Sequence, residues 1–158
     1  MTTTKEAAAA FLAKKRIAVT GVSRNPEGHG SNTVYKRLRE RGYDVFAINP
    51  NADQVEGDAC YPNLRSVPGG VEAVVIATGP DAVEATMAEC VELGITKTWM
   101  HRSFGAGSVC DSATVSGREH GVTVIDGGCP LMFEPVADVG HKVMRFIFSA
   151  TRKVPKSV

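Results

Sequence analysis

The sequence has no long hydrophobic run and no excess of charge of one sign. None of its apolar stretches approaches the roughly 20 residues that a membrane-spanning helix needs, so we expect no membrane partner. Its 18 basic and 17 acidic side chains nearly cancel. A chain with so little net charge has no general attraction to nucleic acid, and we expect no nucleic-acid partner either.

Cysteine is sparse, and the N-terminus lacks the pattern of a secretory signal. Cys60, Cys90, Cys110 and Cys129 are widely spaced and form no Cys-x-x-Cys motif. A chain of 158 residues can bury an ordinary core without disulfides. Residues 1–10 have no basic region followed by a long apolar segment. We therefore expect a reduced, cytoplasmic protein.

The segment from Arg16 to Asn32 is typical of a short buried strand, a glycine-bearing turn and the start of a helix. Ser31 and Asn32 offer side-chain oxygens that we expect to cap a helix over Thr33–Arg41. Such a loop points backbone N–H groups and the positive end of the helix dipole at one spot, which suits a phosphate. Three glycines loosen the turn, and the alternative is that they only supply positive φ: Gly21, Gly28 and Gly30.

Short apolar runs alternate with helical patterns along the chain, which predicts an α/β fold with helices on both faces of a parallel sheet. We expect a single doubly wound, Rossmann-like domain of about five strands over residues 1–150, in the order 3-2-1-4-5, and a loose basic tail over 151–158. The stretch Asn51–Ala59 is expected to be a polar connection. The expected strands are Arg16–Thr20, Asp44–Ile48, Ala73–Ala77, Lys97–Met100 and Val122–Ile125, and the expected helices are Thr3–Lys15, Thr33–Arg41, Gly79–Leu93, Ser108–His120 and Val136–Ala150.

Doubly wound sheets bind ligands at the carboxyl ends of their strands, where the unusual turns of this chain fall. A dinucleotide site would need Gly-x-Gly-x-x-Gly after the first strand and an acidic residue after the second. The first loop instead has Gly21-Val-Ser23, and the second strand ends at Asn49-Pro50. The P-loop motif Gly-x-x-x-x-Gly-Lys-Ser/Thr is also absent. A phosphate-binding loop is therefore predicted, whereas NAD loses most of its support.

Several ordered motifs resemble those of the stand-alone CoA-binding domain proteins. These are a Rossmann-like group related to the CoA-binding domain of the succinyl-CoA synthetase α subunit and of ADP-forming acyl-CoA synthetases. The resemblance spans about Arg16 to Pro130. It rests on Ile17-Ala-Val-Thr-Gly-Val-Ser23, Gly42-Tyr-x-Val-Phe-x-Ile-Asn-Pro50, Tyr61-Pro-Asn-Leu64, Val74-Val-Ile-Ala-Thr-Gly-Pro80, Thr98-Trp-Met100 and Gly128-Cys-Pro130.

The resemblance implies that coenzyme A, or an acyl-CoA, is the ligand and assigns roles along the chain. Gly21, Val22, Ser23 and Arg24 would surround the phosphates, at the start of the helix where Ser31 and Asn32 lie. Asn49 and Pro50 would contact the adenosine half, and Thr78, Gly79 and Pro80 would line the pantetheine path. His101 stands where relatives carry Gln, and Cys129 and Pro130 would close the inner end of the groove. Two cations common in relatives are missing, because Thr78-Gly79 and Asn51 stand at their positions.

Two classes of function remain open at this point. The first is a small-molecule binding module without chemistry of its own, and the second is an NAD(P)-dependent oxidoreductase or a CoA-transfer component. The missing acidic residue after the second strand disfavours a dehydrogenase, and a synthetase would need further segments that we do not find after Pro130. Cys129 is more typical of a small buried residue than of a nucleophile. The four histidines have no metal-ligand spacing, so we assign no catalytic residue and no metal.

The C-terminal helix has apolar residues on two faces. We expect Val139, Val143, Phe146 and Ile147 to pack on the core, because they recur at helical spacing. Met144 and Phe148 fall on another face, which predicts a homodimer contact there. A broad core-facing surface is the alternative.

Overall fold

The computed structural model describes residues 1–25, 27, 29–103 and 107–158, over which strands alternate with helices. None of the helices in these ranges is long and apolar enough to cross a membrane. The helices are α1 (Thr4–Leu12), α2 (Gly30–Glu40), α3 (Pro80–Glu92), α4 (Asp111–Glu119) and α5 (Val139–Ala150). The strands are β1 (Arg16–Thr20), β2 (Asp44–Ile48), β3 (Gln54–Val55), β4 (Asp58–Tyr61), β5 (Ala73–Ile76), β6 (Lys97–Met100) and β7 (Thr123–Asp126).

The strands found in these residues form one seven-stranded sheet, in the order β3-β4-β2-β1-β5-β6-β7. β1 lies inside the sheet, where Ile17 stands opposite Val45 of β2 and opposite Ala73 of β5. The apolar residues of β1 and β5 are buried because helices cover both faces of the sheet. Every pair among the five expected strands is parallel. The predicted class, a doubly wound Rossmann-like α/β fold, is confirmed.

The predicted strand order is wrong at one position. β5 is the third of the five expected strands, and it pairs with β1 rather than with β2, so those five stand in the order 2-1-3-4-5. The place beside β2 is taken by β4, which is parallel to β2 and carries β3 antiparallel at the edge. Both extra strands begin within the stretch expected to be a polar connection. Only Cys60 of β4 is buried, so no continuous apolar run marks this strand in the sequence.

The core has two layers, one on each face of the sheet. Side chains of α1, α2 and the end of α5 pack on one face, and those of α3 and α4 pack on the other. Trp99 anchors the first layer between the rings of Phe11 and Phe133, whose centroids lie 5.4 and 5.3 Å away. Its indole Nε1 donates a hydrogen bond to the Gly127 carbonyl at 2.9 Å, which ties β6 to the turn after β7.

The two chain termini pack together, which corrects the expectation of a loose tail over 151–158. Val154 is buried, and the Val158 amide donates to the Thr2 carbonyl at 3.1 Å. Gly128 donates its amide to the Lys153 carbonyl at 3.0 Å, so the tail also holds the turn after β7. At the other terminus Thr3 caps α1 in a capping box with Glu6.

Helix α5 packs on the core with the face that was expected to be outside, and exposes the face that was expected to be inside. Phe148 is buried and Met144 packs partly against the core. The residues expected to pack on the core instead lie exposed: Val139, Val143, Phe146 and Ile147. Helical periodicity identifies the residues that share a face, but when two faces are apolar it does not decide which of them meets the core.

Candidate functional site

The β1–α2 loop begins at Gly21, which lies against the end of β5. Its φ is +71°, a conformation that favours glycine. A Cβ on Gly21 would lie 2.7 Å from the Ala77 carbonyl oxygen. The backbone packing of the protein itself therefore requires glycine at this position, whether or not a ligand binds the loop. Gly28, the second turn glycine of the sequence, lies outside the described residues.

Ser31 and Asn32 hold this loop and do not cap the helix. α2 begins at Gly30, three residues earlier than expected, and its N-cap residue His29 makes no side-chain hydrogen bond to the helix. Asn32 Oδ1 accepts a hydrogen bond from the Ser23 amide, and Asn32 Nδ2 donates to the Ser23 carbonyl, both at 2.8 Å. Ser31 Oγ donates to the Gly21 carbonyl at 2.9 Å. The expected capping role is wrong because both side chains point back along the loop.

A cavity of about 390 Å³ opens beside Gly21, at the carboxyl ends of β1 and β2. Among the predicted site residues, Gly21, Asn49, Pro50 and Thr78 line it. The orientation of Asn49 is fixed, because its Nδ2 donates to the Val22 carbonyl and its Oδ1 accepts from the Asn51 amide, both at 2.9 Å.

The other wall of this first cavity was not predicted. Three small side chains of α3 and one glutamate line it at helical spacing, a pattern present in the sequence, and a turn after β4 completes it. These residues are Ala82, Ala85, Thr86 and Glu89 of α3, and Pro62, Asn63 and Leu64 of the turn.

Thr78, in the wall of the first cavity, carries a hydroxyl without a partner. Its Oγ1 is buried and has no hydrogen-bond partner among the described residues, whereas its carbonyl accepts from Ser108 Oγ at 2.5 Å. A buried hydroxyl without a partner costs stability. Thr98 Oγ1 is the other such hydroxyl in the described part of the chain, but Thr98 lies fully buried within β6.

A second cavity, of about 210 Å³, lies at the start of α2 and brings together His101, Cys129 and Gly30. Burial, and then the nearby charge of His141, lower the pKa of His101 to about 4, so its imidazole is neutral. Burial raises the pKa of the Cys129 thiol to about 12. Ser103, Met144 and His141 also line this cavity, and the sequence did not single them out for the site.

His141 is held in place by the N-cap of α5. Asp138 Oδ1 accepts from the His141 amide and Asp138 Oδ2 contacts His141 Nδ1, both at 2.8 Å. Arg37 Nη1 donates to the same carboxylate at 2.9 Å. These contacts, the backbone hydrogen bond foremost, lower the pKa of Asp138 to about 2. A network that begins on α2 thus fixes one wall of the second cavity.

The remaining predicted site residues lie outside both cavities. The Val22 side chain is fully buried in the core, so only backbone atoms of Val22 could contact a ligand. Arg24 is exposed and makes no hydrogen bond or ion pair with the described residues. The others that line neither cavity are Ser23, Ser31, Asn32, Gly79, Pro80 and Pro130.

No lysine or arginine of the described residues lines either cavity. An anion beside the β1–α2 loop can instead be bound by the first turn of α2, which lacks a side-chain cap, and by the exposed Arg24. The described ranges contain no cluster of three His, Cys, Asp or Glu side chains suited to a metal ion.

A family model described as "CoA binding domain" matches residues 15–135. The chain belongs to the CoA binding domain family. The matched range contains the β1–α2 loop and nearly all of the residues that line the two cavities.

Similar proteins include large ligases and proteins of comparable size. The chain is 36% identical over 83 residues to acetate–CoA ligase [ADP-forming] II of Archaeoglobus fulgidus, covering 51% of this chain and 12% of the ligase. It is 28% identical over 115 residues to the uncharacterized protein YneT of Bacillus subtilis, covering 73% of this chain and 82% of YneT. The chain thus spans only a small part of its ligase relative.

Solved structures share the fold. A hypothetical protein from Pyrococcus horikoshii OT3 superimposes with a TM-score of 0.70 at 29% identity, covering 77% of this chain and 82% of that chain. A dinucleotide-forming acetyl-coenzyme A synthetase 1 from Ca. Korarchaeum cryptofilum matches with a TM-score of 0.59 at 26% identity, covering 70% of this chain and 25% of the synthetase.

Proposed function

We propose that this protein binds coenzyme A or an acyl-CoA at the carboxyl edge of its sheet and performs no chemistry of its own. The family match over residues 15–135 carries this proposal. The domain comprises residues 1–150, onto which residues 151–158 dock. The four free cysteines fit a location in the cytoplasm.

The adenosine half of the ligand occupies the first cavity, between Asn49-Pro50 and the small side chains of α3. A volume of about 390 Å³ lies within the range of small-molecule sites. Asn49 offers no carboxylate to accept both hydroxyls of an NAD ribose, which favours CoA over NAD.

The phosphates lie over residues 21–24 and the first turn of α2. Backbone N–H groups and the helix dipole stabilise negative charge there. Arg24 supplies a charge-assisted hydrogen bond, and this role is supported because Arg24 has no hydrogen-bond or ion-pair partner among the described residues.

The pantetheine arm passes Thr78, Gly79 and Pro80 toward the second cavity, where its thiol or thioester end meets His101 and Cys129. Pro130 follows Cys129 and supports this end of the groove from behind, because it lines neither cavity. The raised pKa of Cys129 keeps it a neutral thiol, which is a poor nucleophile. A neutral imidazole at His101 tolerates an uncharged thioester beside it. These states support binding without covalent catalysis.

The similarity to an acetate–CoA ligase favours one alternative, in which this protein presents CoA to a catalytic partner. Both versions require the same binding site. We infer in addition that the protein is a homodimer, on grounds that are independent of the ligand.

Native mass spectrometry of the purified protein tests the proposal. We expect an added mass of CoA or an acyl-CoA, either as purified or after CoA is supplied in excess. Failure to bind CoA in both conditions contradicts the proposal, and so does a co-purifying nicotinamide dinucleotide that CoA does not displace.

A further inference from the structure

The exposed face of α5 is the largest grouping of exposed apolar side chains in the described residues. Val139, Val143, Phe146 and Ile147 are 79, 55, 80 and 51% exposed. Their spacing places all four on one side of the helix. We call them the α5 stripe. The other exposed large apolar residues, Met1, Leu93 and Val115, are scattered over other elements.

The α5 stripe is unusual because amphipathic helices normally turn their apolar side inward. Here the inward side is already filled by Phe148 and Met144, so the stripe has no place in the core of its own chain. A contiguous exposed apolar surface of this kind marks an interaction site.

Gly140 is the second residue of α5 and lies exposed beside the stripe, and no contact among the described residues requires glycine there. A Cβ at Gly140 would have only Asp138 Oδ1 within 4 Å, at 3.4 Å, and its φ is not positive. Without a side chain, Gly140 leaves room for another backbone or side chain to approach the helix closely.

We propose that the α5 stripe binds the α5 stripe of a second copy of this chain, in an antiparallel helix pair around a two-fold axis at Val143. Across the width of the stripe, Val139 and Phe146 lie on one side of Val143, and Gly140 and Ile147 lie on the other, because seven residues make almost two turns. In such a pair Val143 meets its own counterpart. Val139 packs on the partner's Phe146, and Gly140 leaves room for the partner's Ile147, so the surface is self-complementary.

The charges beside the stripe favour a second copy over an anionic membrane surface. Lys142 forms an ion pair with Glu134 of its own chain. The Arg145 guanidinium lies 5.2 Å from the centre of the Phe133 ring. Both flanking cations are thus engaged within the protomer, whereas helices that bind anionic lipid present such cations to the headgroups.

Sedimentation velocity of the full chain from low to high micromolar concentration tests this surface. We expect the wild-type protein to dimerise. Val143→Lys and Val143→Glu each place like charges face to face at the two-fold axis, so each weakens association by about a hundredfold or more. A 1:1 mixture of the two variants restores the dimer mass, because opposite charges then meet. Gly140→Leu also weakens the dimer, since its side chain blocks the close approach.

Val115→Lys is the matched control, because Val115 of α4 is also apolar and 56% exposed. It leaves the dimer unchanged. A wild-type protein that stays monomeric at high micromolar concentration overturns the proposal, as does a Val143→Lys protein that dimerises like wild type. Binding of a monomeric wild-type protein to phosphatidylserine vesicles assigns the stripe to a membrane and overturns the proposal as well. None of these outcomes depends on CoA binding.

Discussion

Two side chains at the candidate site have polar groups without a partner in the part of the chain that the structure describes. The Thr78 hydroxyl is buried in the wall of the first cavity, and the Arg24 guanidinium is exposed on the β1–α2 loop. Neighbouring polar groups, by contrast, are engaged, as Asn32 and Asn49 illustrate. Groups that the fold leaves free are the ones a ligand can engage.

Replacing Arg24 by Ala removes one charge-assisted hydrogen bond to the ligand, which is typically worth about 1.5–3 kcal/mol. We expect CoA affinity to fall about ten- to a hundredfold, as measured by calorimetry. Arg41→Ala is the matched control. Arg41 is also exposed, but it lies at the opposite end of α2, so this variant binds CoA like wild type. Equal losses in both variants would point to a general charge effect instead.

Replacing Thr78 by Val removes the unpaired hydroxyl at nearly constant shape. We expect the free protein to be at least as stable in urea unfolding and CoA affinity to fall about two- to tenfold, which is one neutral hydrogen bond. Thr98→Val is the control, because Thr98 has an unpaired hydroxyl in the core. It leaves CoA affinity unchanged. A Thr78→Val protein that is less stable and binds CoA normally contradicts the role of this hydroxyl.

His101 makes stability depend on pH. Its pKa is about 4 in the folded protein, against 6.5 in an unfolded chain. The unfolded state therefore binds the proton more tightly. The contribution of neutral His101 is fully present above pH 6.5 and is lost as the pH falls toward 4.

Urea unfolding measures this loss. Between about pH 7 and pH 5, wild type should lose about 2 kcal/mol more unfolding free energy than His101→Gln, which keeps a polar side chain but cannot titrate in this range. Identical pH dependence of the two proteins would show that His101 is not held neutral by burial.

At the scale of single elements, the β1–α2 loop is held by contacts with α2 and with the end of β5. Ser31 and Asn32 hold it to α2, and Gly21 packs it against the end of β5. The sequence predicts a phosphate site at this loop and offers positive φ as the alternative role of its glycines, and Gly21 does have φ +71°. The contact with Ala77 comes from a neighbouring strand that is distant in sequence, which local patterns do not reveal.

Replacing Gly21 by Ala should therefore reduce the stability of the free protein, even when no ligand is bound. Positive φ alone costs about 1–3 kcal/mol for a residue with a side chain. The Cβ would also meet the Ala77 carbonyl oxygen at 2.7 Å. Gly42→Ala isolates the first cost, because Gly42 has φ +85° and nothing within 4 Å of an added Cβ. We expect urea unfolding to show a larger loss for Gly21→Ala. An equal loss would mean that the β5 contact relaxes at no cost.

The errors at element scale share a physical cause. β5 shows as a continuous apolar run, so its existence is predictable, whereas β4 has only Cys60 buried and gives no such signal. The expected order puts β5 beside β2, which is the place that β4 occupies. For α5 the sequence shows two apolar faces, and only the tertiary structure decides that Phe148 is inside and Phe146 outside. Periodicity within an element is local, but pairing and orientation depend on distant contacts.

At the scale of the whole molecule, two cavities lie along one edge of the sheet. The first lies between β2 and α3, and the second lies between α2, the turn after β7 and α5. An extended ligand with a nucleotide at one end and a thiol at the other fits this division, with its phosphates at the loop between. The sequence predicts the site residues that lie at the ends of the strands. It does not predict the α3 wall or His141, because these are distant from the β1–α2 loop in sequence and approach it only in the folded chain.

The central claim is that this site prefers CoA to a nicotinamide dinucleotide. Calorimetric titration of the wild-type protein with CoA and with NAD, under the same buffer and salt, tests it most directly. We expect CoA to bind much more tightly, because Asn49 cannot accept both ribose hydroxyls as a carboxylate would, and its amide is already held by Val22. Tighter binding of NAD than of CoA would contradict the account.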